Sequence, residues 1–458
     1  MKHDATKSRV WGYFLTFGLI VFTVILFARN GRTSGDRGPA AVTGEFHGPF
    51  AINKELISAQ IGSQVRENNY PGDINLSLDG GTQHAKIDYT LDRSSQEWME
   101  KTVGQYKPDF AAFVAIDART GRVLSLVSYS GSQPDSSNLT MRATFPAASI
   151  FKVVTASAAL DLDKAKPETV VPFNGANHTL YRKNVEDTKV NRWTRMMTMR
   201  EAFARSVNVF FGKLGLFIVG PESLKRYAER YMFNQQIHGD FPIEMGRANI
   251  DPADPWGVVQ AASGFTRETT MSPVQGALMA AAVANDGVMM EPYIVDSLTD
   301  DKGIKMYAAV PHQASLVIDP AAAVDLRKLF NETVKSGTGR KSFRQSIRRS
   351  SFDEVEFGGK TGSLTGLNPA GKCDWFIGYA RYRGERIAVA GLTVNEKKWK
   401  VKSSMLANIF FTHYLKQEMA VDSSGDAADD GDIAAPAPVA RKAKHHRRHR
   451  RTRAVARR

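Results

Sequence analysis

Three short elements carry the side chains best suited to chemistry: Ser149-Ile-Phe-Lys152, Ser206-Val-Asn208 and Lys360-Thr-Gly-Ser363. A serine three residues before a lysine arises by chance about once or twice in a chain of this length, so its setting must carry the argument. Pro146 stands just before the expected start of a helix, and Ile150, Phe151, Val153, Val154, Ala156 and Leu160 leave that helix no broad polar face. Lys152 then falls in a buried segment, where an unpaired ammonium is costly and its pKa is driven down. A neutral lysine one turn from Ser149, on the same face, is a base within reach of a nucleophile. The helix start also favours negative charge developing on the serine oxygen. Standing alone, the element reads equally well as a serine cap followed by a lysine that reaches to solvent.

The other two elements add weight by their surroundings. Ser206 and Asn208 interrupt a helix-like run, 199–205, and precede Val209, Phe210 and Phe211, so two polar groups project from an apolar segment. Buried polar residues of this kind commonly do no more than satisfy backbone groups. Gly358-Gly359-Lys360-Thr361-Gly362 is more specific, because glycines within a strand mark close approach of a ligand or another backbone. The competing reading is a glycine-rich turn. Other reaction classes fail quickly, since the chain has no His-Glu-x-x-His, no Gly-x-Ser-x-Gly and no Gly-x-Gly-x-x-Gly after a strand. Gly337-Thr-Gly-Arg-Lys-Ser342 imitates a phosphate loop but lacks the four-residue gap before Gly-Lys. A single cysteine, Cys373, excludes an intrachain disulfide and any multi-cysteine metal site, and nothing in its context would activate it. No metal or cofactor is expected.

The elements that must position these residues follow from patterning. The 458 residues are 42% hydrophobic and 24% charged, enough for a sizeable packed core. The runs 110–117 and 122–129, joined by a turn at 118–121, predict a β-hairpin; a strand at 86–91 and a helix at 94–106 precede it. The middle, 149–285, is mainly helical. Strand-like runs return at 355–365, 374–380 and 387–394, and an amphipathic helix at 402–418 closes the domain. Strands at both ends of a helical middle predict an α+β domain whose antiparallel sheet is assembled from both chain ends and flanked by helices.

Outside that domain lie an apolar span and a charged tail. Val10–Ala28 contains no charged residue and at helical rise is about 28 Å long, close to the hydrocarbon thickness of a bilayer. Arg29 and Arg32 stand where a signal peptide would carry a small-residue cleavage site, so an uncleaved transmembrane anchor is expected. Flanking charges are balanced, and a cytoplasmic N-terminus is chosen because the rest of the chain looks exported. The expected organisation is 1–9 cytoplasmic, 10–28 anchor, 29–85 linker and short stalk, 86–418 catalytic domain, and 419–458 a disordered acidic-then-basic tail. The net charge is +14, and 441–458 holds ten Lys or Arg, leaving about +4 elsewhere. That tail is either a solvated extension or a contact for anionic lipid or wall polymer; with the anchor topology, nucleic acid is not expected. Arg340, Arg344 and Arg348, at helical spacing, read as an exposed face.

In this order the three elements resemble the motif trio of penicillin-binding proteins and serine β-lactamases. The resemblance covers about 86–418, including Ala115-Ile-Asp-Ala-Arg-Thr-Gly-Arg-Val-Leu124, Thr270-Met-Ser-Pro-Val-Gln275, Ala284-Asn-Asp-Gly287 and Asp374-Trp-Phe-Ile-Gly-Tyr-Ala380. It implies a β-lactamase/transpeptidase-like fold in a monofunctional, class B-like D,D-transpeptidase of peptidoglycan stem peptides, with D,D-carboxypeptidase outcome as a variant. By resemblance Ser149 is the nucleophile, Lys152 its base, Ser206 the proton relay and Asn208 the residue that orients Lys152 and substrate. Lys360 keeps the site positive, Thr361 and Ser363 bind the substrate carboxylate beside Gly362, and the Ser149 and Ser363 N–H groups form the oxyanion hole. Penicillins would acylate the same serine. Residues 29–85 are too few for a glycosyltransferase domain and for the usual pedestal, which bears on pairing with a membrane glycosyltransferase partner. Pro146-Ala-Ala stands where the family commonly has Pro-Gly. A β-lactamase or β-lactam sensor of the same fold, and an idle wall-synthesis scaffold, are the alternatives; the 154 residues from Ser206 to Lys360 exceed what a compact β-lactamase would show. The bacterial plasma membrane, with an extracytoplasmic domain, is the expected location.

Overall fold

The structure of the chain, a computed structural model, describes residues 51–429 except 79–80, 132–136 and 188, with 421–429 as helical backbone only. The expected anchor and most of the tail lie outside the described residues. Among the described residues no helix is long and apolar enough to cross a membrane.

A five-stranded antiparallel sheet organises the domain. Its strands are β1 (Phe110–Asp117), β2 (Val123–Ser130), β3 (Glu356–Leu367), β4 (Ala370–Tyr382) and β5 (Glu385–Asn395), in the order β3-β4-β5-β1-β2. Strand β1 pairs with β5 from Phe110↔Val394 to Asp117↔Ile387, which joins the two ends of the domain as the patterning predicts. Strand β1 is buried on both faces because the sheet is covered on both. Its alternation divides the side chains between two cores: Ala112, Val114 and Ile116 belong to the larger, Ala111, Phe113 and Ala115 to the smaller. Helix α6 (Pro273–Ala284), buried throughout, lies against β1, β4 and β5 in the larger core. Helices α1 (Arg93–Tyr106) and α8 (Ser403–Asp429) cover the opposite face, where Phe410 and Phe411 of α8 meet Phe113 and Phe357.

Helix α2 (Lys152–Asp161) crosses the larger core with nine of its ten residues buried. Helices α5 (Pro255–Ser263) and α7 (Pro320–Lys335) pack against it, α3 (Met199–Ala204) packs on α7, and α4 (Asn208–Lys213) reaches Lys152 through Asn208. Strand β3 is an edge strand, so its free side faces this helical layer.

Two segments differ from their expected form. The stretch expected as a stalk contains a helix, Lys54–Arg66, and strands Asp73–Leu78 and Gly81–Tyr89, which join Val295–Thr299 and Lys305–Ala308 in a second antiparallel sheet. Its partners lie more than 200 residues away, so no local pattern announces the pairing. The closing helix continues past 418 to Asp429; Met419, Ala420 and Ala427 favour helix and no proline intervenes before Pro436. Helix Arg340–Ile347 leaves Arg340, Arg344 and, at its end, Arg348 exposed.

Candidate active site

A cleft of about 330 Å3 opens between the helical layer and β3. Ser149, Ser206, Asn208, Thr361, Gly362 and Ser363 line it, while Lys152 and Lys360 lie wholly buried beneath it. Residues nominated from three distant segments therefore converge on one site.

Ser149 sits in a 3-10 turn, Ala148–Phe151, that runs directly into α2. Ala148 is held at φ 51°, a left-handed conformation that costs a residue with a Cβ about 1–3 kcal/mol. Gly264, at φ 62°, abuts this turn so closely that a Cβ there would lie 1.9 Å from the Ala148 carbonyl oxygen. Position 264 is thus restricted to glycine by both conformation and space.

Lys152 Nζ lies 2.7 Å from Ser149 Oγ and 2.8 Å from Asn208 Oδ1, and it also bonds the Ser263 carbonyl. Among the described residues neither Lys152 nor Lys360 has a carboxylate partner. Burial, then the charge of Lys360, hold the Lys152 pKa well below its ordinary value. A neutral amine has two N–H donors and one lone pair. The two donors match Asn208 Oδ1 and the Ser263 carbonyl, which leaves the lone pair to accept the Ser149 O–H. The neutral form, which burial and the Lys360 charge favour, is thus aimed at the serine.

The other polar pair comes from a break between helices. A capping box formed by Thr198 and Glu201 starts α3, and Ser206 at φ 57° separates it from α4. The break turns Ser206 toward Lys360 and Asn208 toward Lys152. Lys360 Nζ donates to Ser206 Oγ at 3.0 Å and to the Thr361 carbonyl at 2.7 Å, and burial lowers its pKa to about 7. Gly359 precedes it in a continuous strand, not a turn, and a Cβ there would meet the Phe376 ring at 2.2 Å. Gly362 lets β3 approach the nucleophile, its absent Cβ lying 3.2 Å from the Ser149 backbone nitrogen.

Several contributors escape sequence reasoning. The Ser263 carbonyl and Gly264 carry no motif, although a glycine after a helix is a visible turn signal. Thr338 Oγ1 lies 2.5 Å from Thr361 Oγ1, so the segment 337–342 lines the cleft. His178 also lines it; burial, then the charge of Lys152, lower its pKa, and its carbonyl accepts from Asn208 Nδ2 at 2.9 Å. Cys373 is buried and its thiol is pushed up to about 12.

A serine beside a buried lysine whose pKa is held down, facing a Lys-Thr-Gly edge strand of an α+β domain, is an arrangement for serine acyl transfer. Residues 111–413 match the penicillin binding protein transpeptidase domain, and the chain belongs to that family. The chain is 25% identical over 343 residues to peptidoglycan D,D-transpeptidase PbpA of Mycobacterium tuberculosis, spanning 68% of this chain and 67% of that protein. It is 27% identical over 296 residues to stage V sporulation protein D of Bacillus subtilis, spanning 60% of this chain and 43% of that one. Its fold is that of the D,D-transpeptidase domain of an Eggerthella lenta peptidoglycan glycosyltransferase, with TM-score 0.61, 24% identity, and 78% and 87% of the two chains covered. The imipenem acyl-enzyme of penicillin-binding protein A from M. tuberculosis shares it at TM-score 0.58 and 22% identity, covering 72% and 80%.

Proposed function

We propose that this protein is a peptidoglycan D,D-transpeptidase that works through a Ser149 acyl-enzyme and is inhibited by penicillins. The observation that carries the reading is the Lys152 amine, buried without a carboxylate and 2.7 Å from Ser149 Oγ. Ser149 Oγ attacks the carbonyl before the terminal D-alanine of a stem peptide as its proton passes to Lys152 Nζ. The tetrahedral centre collapses, the C–N bond breaks, and a proton reaches the leaving amine through Ser206, so D-alanine departs. An amine of a second stem attacks the Ser149 ester, forms the new amide and returns the proton to the serine. Asn208 fixes the Lys152 amine and the substrate amide. Lys360 sets the Ser206 hydroxyl and the local positive potential, and Thr361 and Ser363 receive the carboxylate at Gly362. Backbone N–H groups of Ser149 and Ser363 stabilise the oxyanion, an effect that commonly contributes about 3–4 kcal/mol per donor. Names of the relatives PbpA of M. tuberculosis and PbpB of Mycolicibacterium smegmatis support the same assignment.

The location belongs to this proposal too. Residues 10–28 anchor the chain in the plasma membrane with the catalytic domain outside the cytoplasm, and a membrane glycosyltransferase supplies the glycan strands. The basic run 441–458 contacts anionic lipid or wall polymer; deleting it without loss of envelope retention would remove that part.

Intact-mass spectrometry of the full chain with benzylpenicillin, beside Ser149→Ala, tests the core claim. A stable single adduct on Ser149, absent from the variant, is expected. Rapid drug hydrolysis would place the chain with β-lactamases, and folded protein with neither adduct nor hydrolysis would make it an idle scaffold.

A further inference from the structure

A second cavity, of about 440 Å3, is lined by residues between 174 and 193, in the connection that joins Val170–Phe173 to Arg195–Thr198, two strands paired from Val170↔Thr198 to Phe173↔Arg195. Its lining is unlike that of a pocket for an apolar ligand. Three amides (Asn174, Asn184 and Asn191), one carboxylate (Asp187), one ammonium (Lys183) and one indole (Trp193) surround it without an aliphatic wall. Several of these groups are oriented by one or two bonds; Asp187 Oδ1 accepts from the Lys189 backbone N–H at 2.9 Å. Asn174 Nδ2 donates to Asp187 Oδ2 at 2.9 Å, Thr194 Oγ1 donates to Asn174 Oδ1 at 2.9 Å, and the Trp193 backbone N–H donates to Asn191 Oδ1 at 2.8 Å. An amide has two donors and two acceptor lone pairs, so these bonds fix direction and leave capacity for a ligand. Lys213, buried below, donates to the Asp187 carbonyl at 2.8 Å and to the Pro172 carbonyl at 3.3 Å, which ties the cavity to α4.

Trp193 is 73% exposed, with the Arg192 guanidinium carbon 4.8 Å from its ring centroid. A large indole left open to water beside amides and a carboxylate suits a ring with one C–H face and a rim of hydroxyls. Within the lining the one ammonium, Lys183, is balanced by the one carboxylate, Asp187, which does not suit a polyanion. The cavity is also linked to the catalytic cleft. Gly175 lines the cavity and His178 lines the cleft, and three residues of chain span at most about 11 Å. Between them Asn177 is fixed at both ends: Arg195 donates to its Oδ1 at 2.7 Å, and its carbonyl accepts from the Asn208 backbone at 2.7 Å.

We infer that this cavity is a saccharide subsite for an N-acetylated amino-sugar glycan, and that it holds the sugar end of a substrate whose peptide end reaches Ser149. The inference rests on the proposed peptidoglycan substrate for its second half only. Trp193 packs on the sugar ring, Asn184 and Asn191 bond its acetamido group and hydroxyls, and Asp187 accepts from a hydroxyl pair.

Chitotetraose, the β-1,4 tetramer of N-acetylglucosamine, is the probe, titrated into the full chain with saturation-transfer NMR and calorimetry as readouts. Binding is expected, weakened about tenfold or more by Trp193→Ala and less by Asn191→Ala, with unchanged melting temperature and unchanged penicillin acylation of Ser149. For turnover, Trp193→Ala is expected to raise KM about tenfold for a disaccharide-linked stem pentapeptide and to leave the free pentapeptide unaffected. No chitotetraose binding to folded, acylation-competent chain overturns the inference, as does binding that Trp193→Ala leaves unchanged. Chitotetraose binding without penicillin acylation would retain the saccharide subsite and remove the transpeptidase reading.

Discussion

The two walls of the catalytic cleft bury a lysine in different ways. On the helical wall, Lys152 Nζ meets a hydroxyl, a side-chain carbonyl and a backbone carbonyl, and burial with the charge of Lys360 holds its pKa well below the ordinary value. On the sheet wall, Lys360 meets one hydroxyl and one backbone carbonyl, and its pKa near 7 keeps it charged for part of the neutral range. Burial alone therefore does not define a catalytic base; contact with the attacking hydroxyl and a second buried charge nearby set Lys152 apart from Lys360.

Removing each lysine should separate the walls most strongly in rate. Lys152→Ala is expected to slow penicillin acylation about 10^3- to 10^4-fold, as loss of a general base does, and Lys360→Ala about tenfold less severely, measured by stopped-flow or gel-based labelling. Equal losses would mean that both lysines serve one step.

The pH profile should show two limbs. Acylation rises with pH as Lys152 loses its proton, and falls above about pH 7 as Lys360 loses the charge that attracts a carboxylate. Lys360→Arg keeps that charge, so the alkaline limb should move out of the profile. Lys360→Met removes the repulsion that helps depress Lys152, so the acidic limb should shift to higher pH. An unmoved acidic limb would separate the two groups electrostatically.

Stability should change in opposite senses. Below a pKa of about 7 the buried Lys360 is charged in folded and unfolded states alike, and its desolvation cost is borne in full. As pH rises from about 7 toward 10.5 the unfolded chain binds the extra proton, so stability increases over that window. Lys360→Met removes the cost of the buried charge while leaving the Ser206 hydroxyl and Thr361 carbonyl without this donor, and on balance should stabilise the fold by about 1 kcal/mol at pH 7. Lys152→Met strands the Asn208 and Ser263 oxygens and should destabilise it. Thermal melts at pH 7 and 9 check both signs. The smallest expected effect is at Ala148, where Ala148→Gly relieves a left-handed residue and should add about 1 kcal/mol.

How much of this was legible depends on the range of the signal. The hairpin β1–β2 and strands β4 and β5 show as apolar runs because the sheet is buried on both faces. Ser149, Lys152, Ser206, Asn208 and Lys360 are visible because each is a polar residue in an apolar or glycine-rich setting. The Ser263 carbonyl is not, since every residue has one and only the fold aims it. The second sheet fails for a related reason, pairing Val295 with Tyr89 through a register that neither strand encodes alone. Thr338 lies in a segment whose spacing imitates a phosphate loop, and it reaches the cleft through an edge contact that spacing cannot show.

The joining of β1 to β5 also sets a timetable for synthesis. During translation, Phe110–Asp117 and Ser149 emerge long before Glu385–Asn395; β3 and β4 precede β5, but until β5 arrives nothing joins them to the first hairpin, which has no inner neighbour. Such distant pairings close late and leave an apolar strand edge waiting. A chain interrupted before β5 would therefore be inert toward penicillin and a ready target for holdases and proteases, so the last strand to arrive also serves as the checkpoint for activity.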